Sequence, residues 1–295
     1  MQQLVFGLAN GSIYALMALA IGMVFSTTEI INFSHASVIM LAAMTSYWCM
    51  AYFHLPYGEA ILIAVAINVA INMLIYKTCV EKLGRLTNNI GWIVTLFGAS
   101  IILDNSARMY FGTEPQAYPY LFGGKAIHVF GANIMLHEVM MIAISFAVGL
   151  AYQLLIKKTR FGRAVRAVSF RHDTARLMGI RSETTVLACF GLAGVVAAIS
   201  GTLIAPITFA SYSMMSSIGL KGFAAALIGG LGNTQGAFVG GISLGLVEAV
   251  IGSYIPAAYK DAISFVVMII VIIFLPGGIL GARVFTRGNA GKEKI

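Results

Sequence analysis

Residues 157–181, KKTRFGRAVRAVSFRHDTARLMGIR, decide how this chain is read. They carry 8 of its 19 Lys and Arg residues in 25 positions and lie between two long apolar runs. The surrounding chain is 59% hydrophobic and only 10% charged, with a mean hydropathy of +0.89. That contrast marks an integral membrane protein with one basic, helical element outside the bilayer. A hydrophobic bundle with one such element has the organisation of a machine pushed from that side.

Working outward, apolar stretches recur at about 4–25, 36–53, 58–76, 91–111, 139–156, 185–207 and 259–276. Each approaches the length of about 20 residues that a hydrocarbon core of roughly 30 Å requires. They are continuously apolar rather than alternating, which excludes transmembrane strands. The 295 residues therefore predict one all-α transmembrane domain over 1–295, a polytopic bundle of about eight crossings, with no room for a soluble domain.

The formal charge of +8 suggests nucleic acid until its placement is considered. Fifteen of the 19 basic residues fall in 76–90, 157–181 and 283–294. The stretch from Gly112 to His137 holds one Lys and no Arg. This is the positive-inside pattern, which makes the three basic segments cytoplasmic. Parity then puts the N-terminus outside and the C-terminus inside. The N-terminus lacks a basic leader and a small-residue cleavage site, so the first run reads as a retained span. Cys49, Cys79 and Cys189 have no metal-site or disulfide spacing and read as small apolar residues.

The region 217–252 is studded with glycine, including Gly219, Gly222, Gly229, Gly230, Gly232, Gly236, Gly240, Gly241 and Gly245. Parity requires it to contribute two crossings or none. Two short helices breaking at GGLGNTQG satisfy either count, as two crossings or as one re-entrant hairpin. Glycine at this density allows close helix approach in a membrane. At Gly229, Gly230 and Gly232 it also suits a break lining a water-filled route.

No phosphate-cradling loop, dinucleotide fingerprint or zinc-binding helix motif occurs, so an ATP-driven process needs its ATPase on another chain. No cofactor or metal is called for. Ionisable groups at membrane depth are functional candidates by default. Asp104 and Arg108, four apart, read as an internal ion pair. Glu29 reads as solvated or as a cap. Asn32 and His35 stand at the start of the second apolar run, His35 as a cap or an interhelical bond. Glu248 faces a cavity or makes a helix–helix hydrogen bond.

The basic segment itself reads as an amphipathic helix over 163–180. Val165, Val168, Ala175 and Gly179 fall near one stripe, interrupted by His172. Arg163, Arg166, Asp173 and Arg176 fall elsewhere. LMGI gives it a glycine stop at Gly179 and Ile180. Such a helix either rests on anionic headgroups or docks a cytoplasmic partner.

These residues resemble the permease subunits of branched-chain amino-acid ABC importers, of the eight-span type, nearly end to end. NGSIYALMALAIGMVF at 10–25 is similar to the family's first span. INFSHASVIM at 31–40 resembles its I-N-F-[AS]-H-G-E-x-x-M motif. TRFGRAVRAVSFRHDTARLMGI resembles its coupling segment, and GLKGFAAALIGGLGNTQGAFVGGISLGLVEA at 219–249 its glycine motif. YKDAISFVVMIIVIIFLPGGILG at 259–281 is similar to its last span. Two positions depart from the pattern: Ala36-Ser37 replaces Gly-Glu, and Tyr76-Lys77-Thr78 replaces Tyr-Arg-Pro.

The resemblance implies a transport permease rather than an enzyme, sited in the bacterial inner membrane. It implies two cytoplasmic ATPase subunits, a second homologous permease and an external substrate-binding protein. The solute is a branched-chain amino acid or a related small polar molecule. Family members also serve urea, short amides and aromatic acids, with selectivity residing mostly in the binding protein. Segment 157–184 corresponds to the coupling element, with Arg163, Arg166, Ala167, Arg171, Asp173, Gly179 and Ile180 as its residues. Asn32, His35, Gly229, Gly230, Gly232 and Glu248 are candidates for the translocation path. A stand-alone secondary transporter or channel is the competing reading. It would need paired carboxylates or broken helices in both halves.

Overall fold

The structure, a computed structural model, describes residues 2–82, 91–121, 124–129, 132–214, 218–256, 259–275 and 277–280. The basic cluster expected at 283–294, and Arg85, lie outside the described residues. In chain order the elements are α1 (Gln2–Thr28), α2 (His35–Phe53), α3 (Tyr57–Ile75) and α4 (Gly91–Phe111). They continue with β1 (Ala126–Val129), β2 (Ala132–Met135), α5 (Leu136–Lys158), α6 (Arg160–Phe170) and α7 (His172–Leu177). The last are α8 (Ser182–Thr208), α9 (Leu220–Gly229), α10 (Thr234–Ile251) and α11 (Lys260–Phe274). A π-helical stretch, Tyr76–Glu81, prolongs α3.

The architecture is an all-α polytopic bundle with membrane-length apolar helices. Among the described residues, five helices are long and apolar enough to cross a bilayer: α1, α2, α3 with its π-helical extension, α5 and α8. α4 and α11 would bring the count to seven, and the α9–α10 pair would make it nine if both of its arms cross, to either side of the expected eight. α4 has 21 residues, but Asp104, Asn105, Ser106 and Arg108 crowd its second half. The described part of α11 has 15 residues. One small departure from all-α lies in the connection before α5. There β1 and β2 pair antiparallel, with Ala126 opposite Met135 and Val129 opposite Ala132.

Two compact units form, each assembled from separated segments. The first comprises residues 23–121 and 150–219. Its core is α2, α3 and α8, brought close by glycines. A Cβ on Gly194 would come 2.9 Å from the Asn68 carbonyl oxygen, and one on Gly201 would overlap the Ile39 carbonyl. At one end, Gln116 and Ala210 exchange backbone hydrogen bonds of 2.9 Å. There the Tyr118 hydroxyl donates to Ser46 Oγ at 3.0 Å, and the Tyr47 hydroxyl donates to Gln116 Oε1 at 3.1 Å.

These contacts set α2 parallel to α8, with Ile39 beside Gly201 and Tyr47 near Ala210. The register has a consequence for depth. At 1.5 Å per residue, His35 stands about 22 Å from the start of α8, a helix roughly 40 Å long. α2 therefore begins halfway along its neighbour rather than at that neighbour's end.

The second unit comprises residues 1–22, 122–149 and 220–295, as far as they are described. α1 crosses α10 through two small-residue pairs four apart, Gly7/Gly11 and Gly241/Gly245. A Cβ on Gly7 would lie 2.5 Å from Ala249 Cβ, and one on Gly245 would overlap the Gly11 backbone. Backbone-on-backbone packing of this kind is what a membrane helix pair gains from glycine. α9 and α10 fold into an antiparallel hairpin in which Gly229 lies on Gly236 and Gly240 lies on Ala225. The turn between them uses left-handed glycines, Gly230 at φ +99° and Gly232 at φ +82°. Asn233 caps α10, its Oδ1 accepting from Gln235 N at 3.0 Å and Gly236 N at 3.3 Å.

Candidate functional sites: the basic segment and the buried polar groups

The basic segment forms a compact clip rather than the single helix its sequence predicts. Thr159 starts α6 by accepting from Gly162 N at 3.0 Å. Gly162 lies against the backbone of Ile156 with no space for a Cβ, so the chain turns sharply out of α5. Gly162, Val165 and Val168 are buried. The helix breaks at Arg171, which is extended at φ −160° and ψ 119°. Tertiary contacts explain the break: His172 Nε2 sits 2.6 Å from the Thr27 carbonyl, and Ser182 Oγ donates to the His172 carbonyl at 3.4 Å. A continuous helix would rotate His172 away from α1.

After the break, Ala175 returns to the buried side, but Gly179 does not. Gly179 serves instead as the αL residue of a Schellman stop, at φ +81°. Ile180 N donates to the Ala175 carbonyl and Gly179 N to the Arg176 carbonyl, both at 3.0 Å. Arg176 pairs with Glu183 at 2.7 Å across this turn. Arg163, Arg166, Arg171 and Asp173 are exposed, while Ala167 and Ile180 are half-buried. Three apolar side chains also point outward: Phe170 (85% exposed), Leu177 (88%) and Met178 (79%).

In the second unit Glu248 is largely enclosed and paired. Lys221 Nζ, on the first turn of α9, donates to Glu248 Oε1 at 2.6 Å and to Asp261 Oδ1 at 2.8 Å. Glu248 Oε2 accepts from the Tyr14 hydroxyl at 3.1 Å and the Ser264 hydroxyl at 3.4 Å. The side chains of Lys221 and Glu248 are 8% and 12% exposed, whereas Asp261 is 57% exposed. Sequence reading found Glu248 but missed Lys221, Tyr14 and Asp261. The available signal was the solitary lysine in an otherwise apolar SIGLKGFAAALIGG.

The glycine break is covered. Gly229 and Gly230 are buried, Gly278 packs on Gly230, and Ile279 N donates to the Ile228 carbonyl at 2.8 Å. Asn233 Nδ2 donates to the Leu280 carbonyl at 3.1 Å. Gly232 remains exposed.

In the first unit, Asn32 and His35 are 4% and 1% exposed. Asn32 Oδ1 accepts from Ser34 N and Ser34 Oγ, at 3.1 and 2.6 Å. Its Nδ2 and both ring nitrogens of His35 have no partner. Glu29 caps nothing; it ends α1 in a left-handed conformation at φ +57°. Asp104 and Arg108 do not form the expected ion pair. The Arg108 guanidinium lies over the Tyr212 ring, 4.7 Å from its centroid, and Asp104 Oδ1 is buried without a partner.

Cys49 and Cys189 are buried free thiols, and Cys79 is half-buried. Outside the spans, burial pushes the Tyr118 phenol well above its ordinary range, so it serves as a neutral donor to Ser46.

Comparison with known proteins adds the family. Residues 3–272 match the description "branched-chain amino acid transport system / permease component". The chain is 30% identical to the high-affinity branched-chain amino acid transport system permease protein LivH of Escherichia coli K12, over 95% of both chains. It is 29% identical, again over 95% of both, to the corresponding protein BraD of Pseudomonas aeruginosa. Among solved structures, PsaBC from Streptococcus pneumoniae in complex with Fab shares the fold, with a TM-score of 0.51 at 12% identity. That match covers 98% of this chain and 96% of the other. The chain accordingly belongs to the family of branched-chain amino acid transport system permease components, and it is a multi-pass inner-membrane permease rather than an enzyme.

Proposed function

We propose that this chain is the membrane permease subunit of an ATP-driven importer for branched-chain amino acids or a related small polar solute. Residues 1–295 act as one permease domain, with 157–184 as its docking element for separate ATPase subunits. A second homologous permease completes the pathway, and an external binding protein delivers the solute. The N-terminus lies outside and the C-terminus in the cytoplasm, as the basic clusters require. α9, with ten residues, rises about 15 Å, half of the hydrocarbon thickness. We therefore read α9–α10 as a re-entrant pair.

The observation that carries the ATPase reading is the basic clip. One face is seated on its own chain through Gly162, Val165, Val168 and Ala175, while Phe170, Leu177 and Met178 face outward beside Arg163, Arg166 and Arg171. Apolar knobs ringed by arginine on a rigidly capped element suit a groove in a folded partner. ATP can bias the transport cycle only through contacts that differ between its states, and this element is where such contacts form.

The test is co-purification. Phe170→Asp and Leu177→Asp should remove the partner ATPase from a pull-down, while membrane levels stay at wild type. If both variants retain ATPase and transport, and only loss of arginines weakens membrane association, the clip rests on lipid instead.

A further inference from the structure

We propose that His172 is the strut through which the basic clip moves α1. This role rests on the reading of 157–184 as the ATPase-docking element. It adds the residue that passes motion on and the helix that receives it.

The first observation is the bond itself. His172 Nε2 lies 2.6 Å from the Thr27 carbonyl, 145 residues away in the chain. A carbonyl only accepts, so this ring nitrogen carries a proton and donates. Thr27 is buried in the last turn of α1. The last four carbonyls of a helix have no intrahelical donor. In α1 they belong to Phe25, Ser26, Thr27 and Thr28. Glu29 N, just beyond the helix, serves Phe25 at 2.8 Å, and His172 serves Thr27. Histidine suits this end of a helix, where the dipole is negative.

The second observation is where His172 stands in the clip. Its neighbours in sequence, Phe170 on one side and Leu177 and Met178 on the other, face outward. His172 itself is fastened to its own chain twice, by the ring to α1 and by its carbonyl, which accepts from Ser182 Oγ at the start of α8 at 3.4 Å. The Arg176–Glu183 pair spans only seven residues, and both side chains are about half exposed. Val165, Val168 and Ala175 seat the clip by burial, which has no preferred direction. A hydrogen bond of 2.6 Å has one, so it transmits a displacement that an apolar seat lets slide.

The third observation is the reach of α1. It is one unbroken helix of 27 residues. Its last turn belongs to the same unit as the clip, and its residues up to Gly22 belong to the other. In that other unit Gly7 and Gly11 lock it onto α10. A pull on Thr27 therefore acts on a helix that both units share. Coupling between two sites is a free energy carried by contacts that differ between states. With the strut, a displaced clip favours one position of α1. Without it, the clip moves and α1 stays.

The experiment uses the purified complex with its ATPases and partner permease, in a chain lacking native cysteines. A fluorescent label at Leu4→Cys, an exposed position at the far end of α1, reports the response to ATP with orthovanadate. Wild-type His172 should give a shift in the label's signal. His172→Phe keeps a ring but no donor, and should need about 10-fold more ATP for the same shift, the factor of one hydrogen bond. The ATPase should still co-purify, because Phe170 and Leu177 are intact. His172→Gln, whose amide N–H replaces the Nε2 donor, should respond within about 3-fold of wild type. A purely structural role predicts that Gln and Phe are equally impaired, or that both lose the ATPase. Either result, a wild-type response from His172→Phe, or no response in the wild type would overturn the strut. A wild-type chain that fails to co-purify with ATPase would instead sink the docking reading, and the strut with it.

Discussion

Lys221 is the most exacting place to perturb the second unit. It stands on the first turn of α9, where the helix dipole disfavours a cation, so its charge depends on Glu248 and Asp261. The two pairs differ in burial. Glu248 is nearly as enclosed as Lys221, and removing one partner of a buried pair costs about 3–5 kcal/mol, because the other charge is left uncompensated. Asp261 is more than half exposed, and exposed pairs contribute about 0–1 kcal/mol. Lys221→Met strands Glu248 and should destabilise by about 3–5 kcal/mol. Glu248→Gln leaves Asp261 for the lysine and an amide oxygen for Tyr14, so its cost should be about 1.5–3 kcal/mol, that of one charged hydrogen bond. Asp261→Asn should cost under about 1 kcal/mol. In the double variant Lys221→Met/Glu248→Met no charge is left stranded, so its cost should fall well below the sum of the single substitutions. Denaturant unfolding of the purified permease, followed by tryptophan fluorescence, measures all of these. A Lys221→Met protein within about 1 kcal/mol of wild type, or an Asp261→Asn protein as unstable as Glu248→Gln, would refute the argument.

Three further outcomes are expected. Gly245→Val forces a side chain into the Gly11 backbone and should cost about 3 kcal/mol, the upper range for overpacking, while Gly98→Ala, with open space around it, should be neutral or stabilising by up to about 1 kcal/mol; the same unfolding assay compares them. Gly179→Leu strains the αL stop by about 1–2 kcal/mol and should abolish substrate-stimulated ATP hydrolysis by the reconstituted complex while the permease remains in the membrane. In intact cells carrying a chain without its native cysteines, an impermeant maleimide should label Gln2→Cys and spare Leu177→Cys; labelling of position 177 but not 2 would invert the proposed topology.

What was legible in the sequence follows from the range of the interactions involved. The apolar runs, the glycine stop at Gly179 and the break after Gly229 are set by residues within a few positions of each other, and each shows in the local pattern. The Gly7/Gly11 and Gly241/Gly245 pairs were also within reach, since spacing by four is the signature of close helix crossing. Long-range partners were not. Arg171 carries no proline or glycine to announce a break; the break comes from a bond between His172 and Thr27, 145 residues apart. Asp104 and Arg108 have the spacing of an ion pair, but Tyr212, in the turn after α8, captures the arginine. Lys221 and Glu248 are 27 residues apart, on opposite arms of a hairpin.

The start of α2 shows the same limit most clearly. Asn32, Ser34 and His35 look like an ordinary helix cap because sequence gives their order and not their depth. Depth enters through the register of α2 on α8, which is fixed by Gly201 against Ile39 and by the Tyr47–Gln116–Ala210 contacts at the far end. A cap at the membrane surface would have water for the Asn32 amide and the His35 ring. The same residues placed halfway along a spanning helix have none, and Asn32 Nδ2 and both ring nitrogens of His35 stay without a partner. Lowering α2 by a few turns would return water to these groups without changing a residue. Gly201→Val, which drives a side chain into the Ile39 carbonyl, should push α2 off α8 and destabilise the first unit by about 3 kcal/mol in the same unfolding assay.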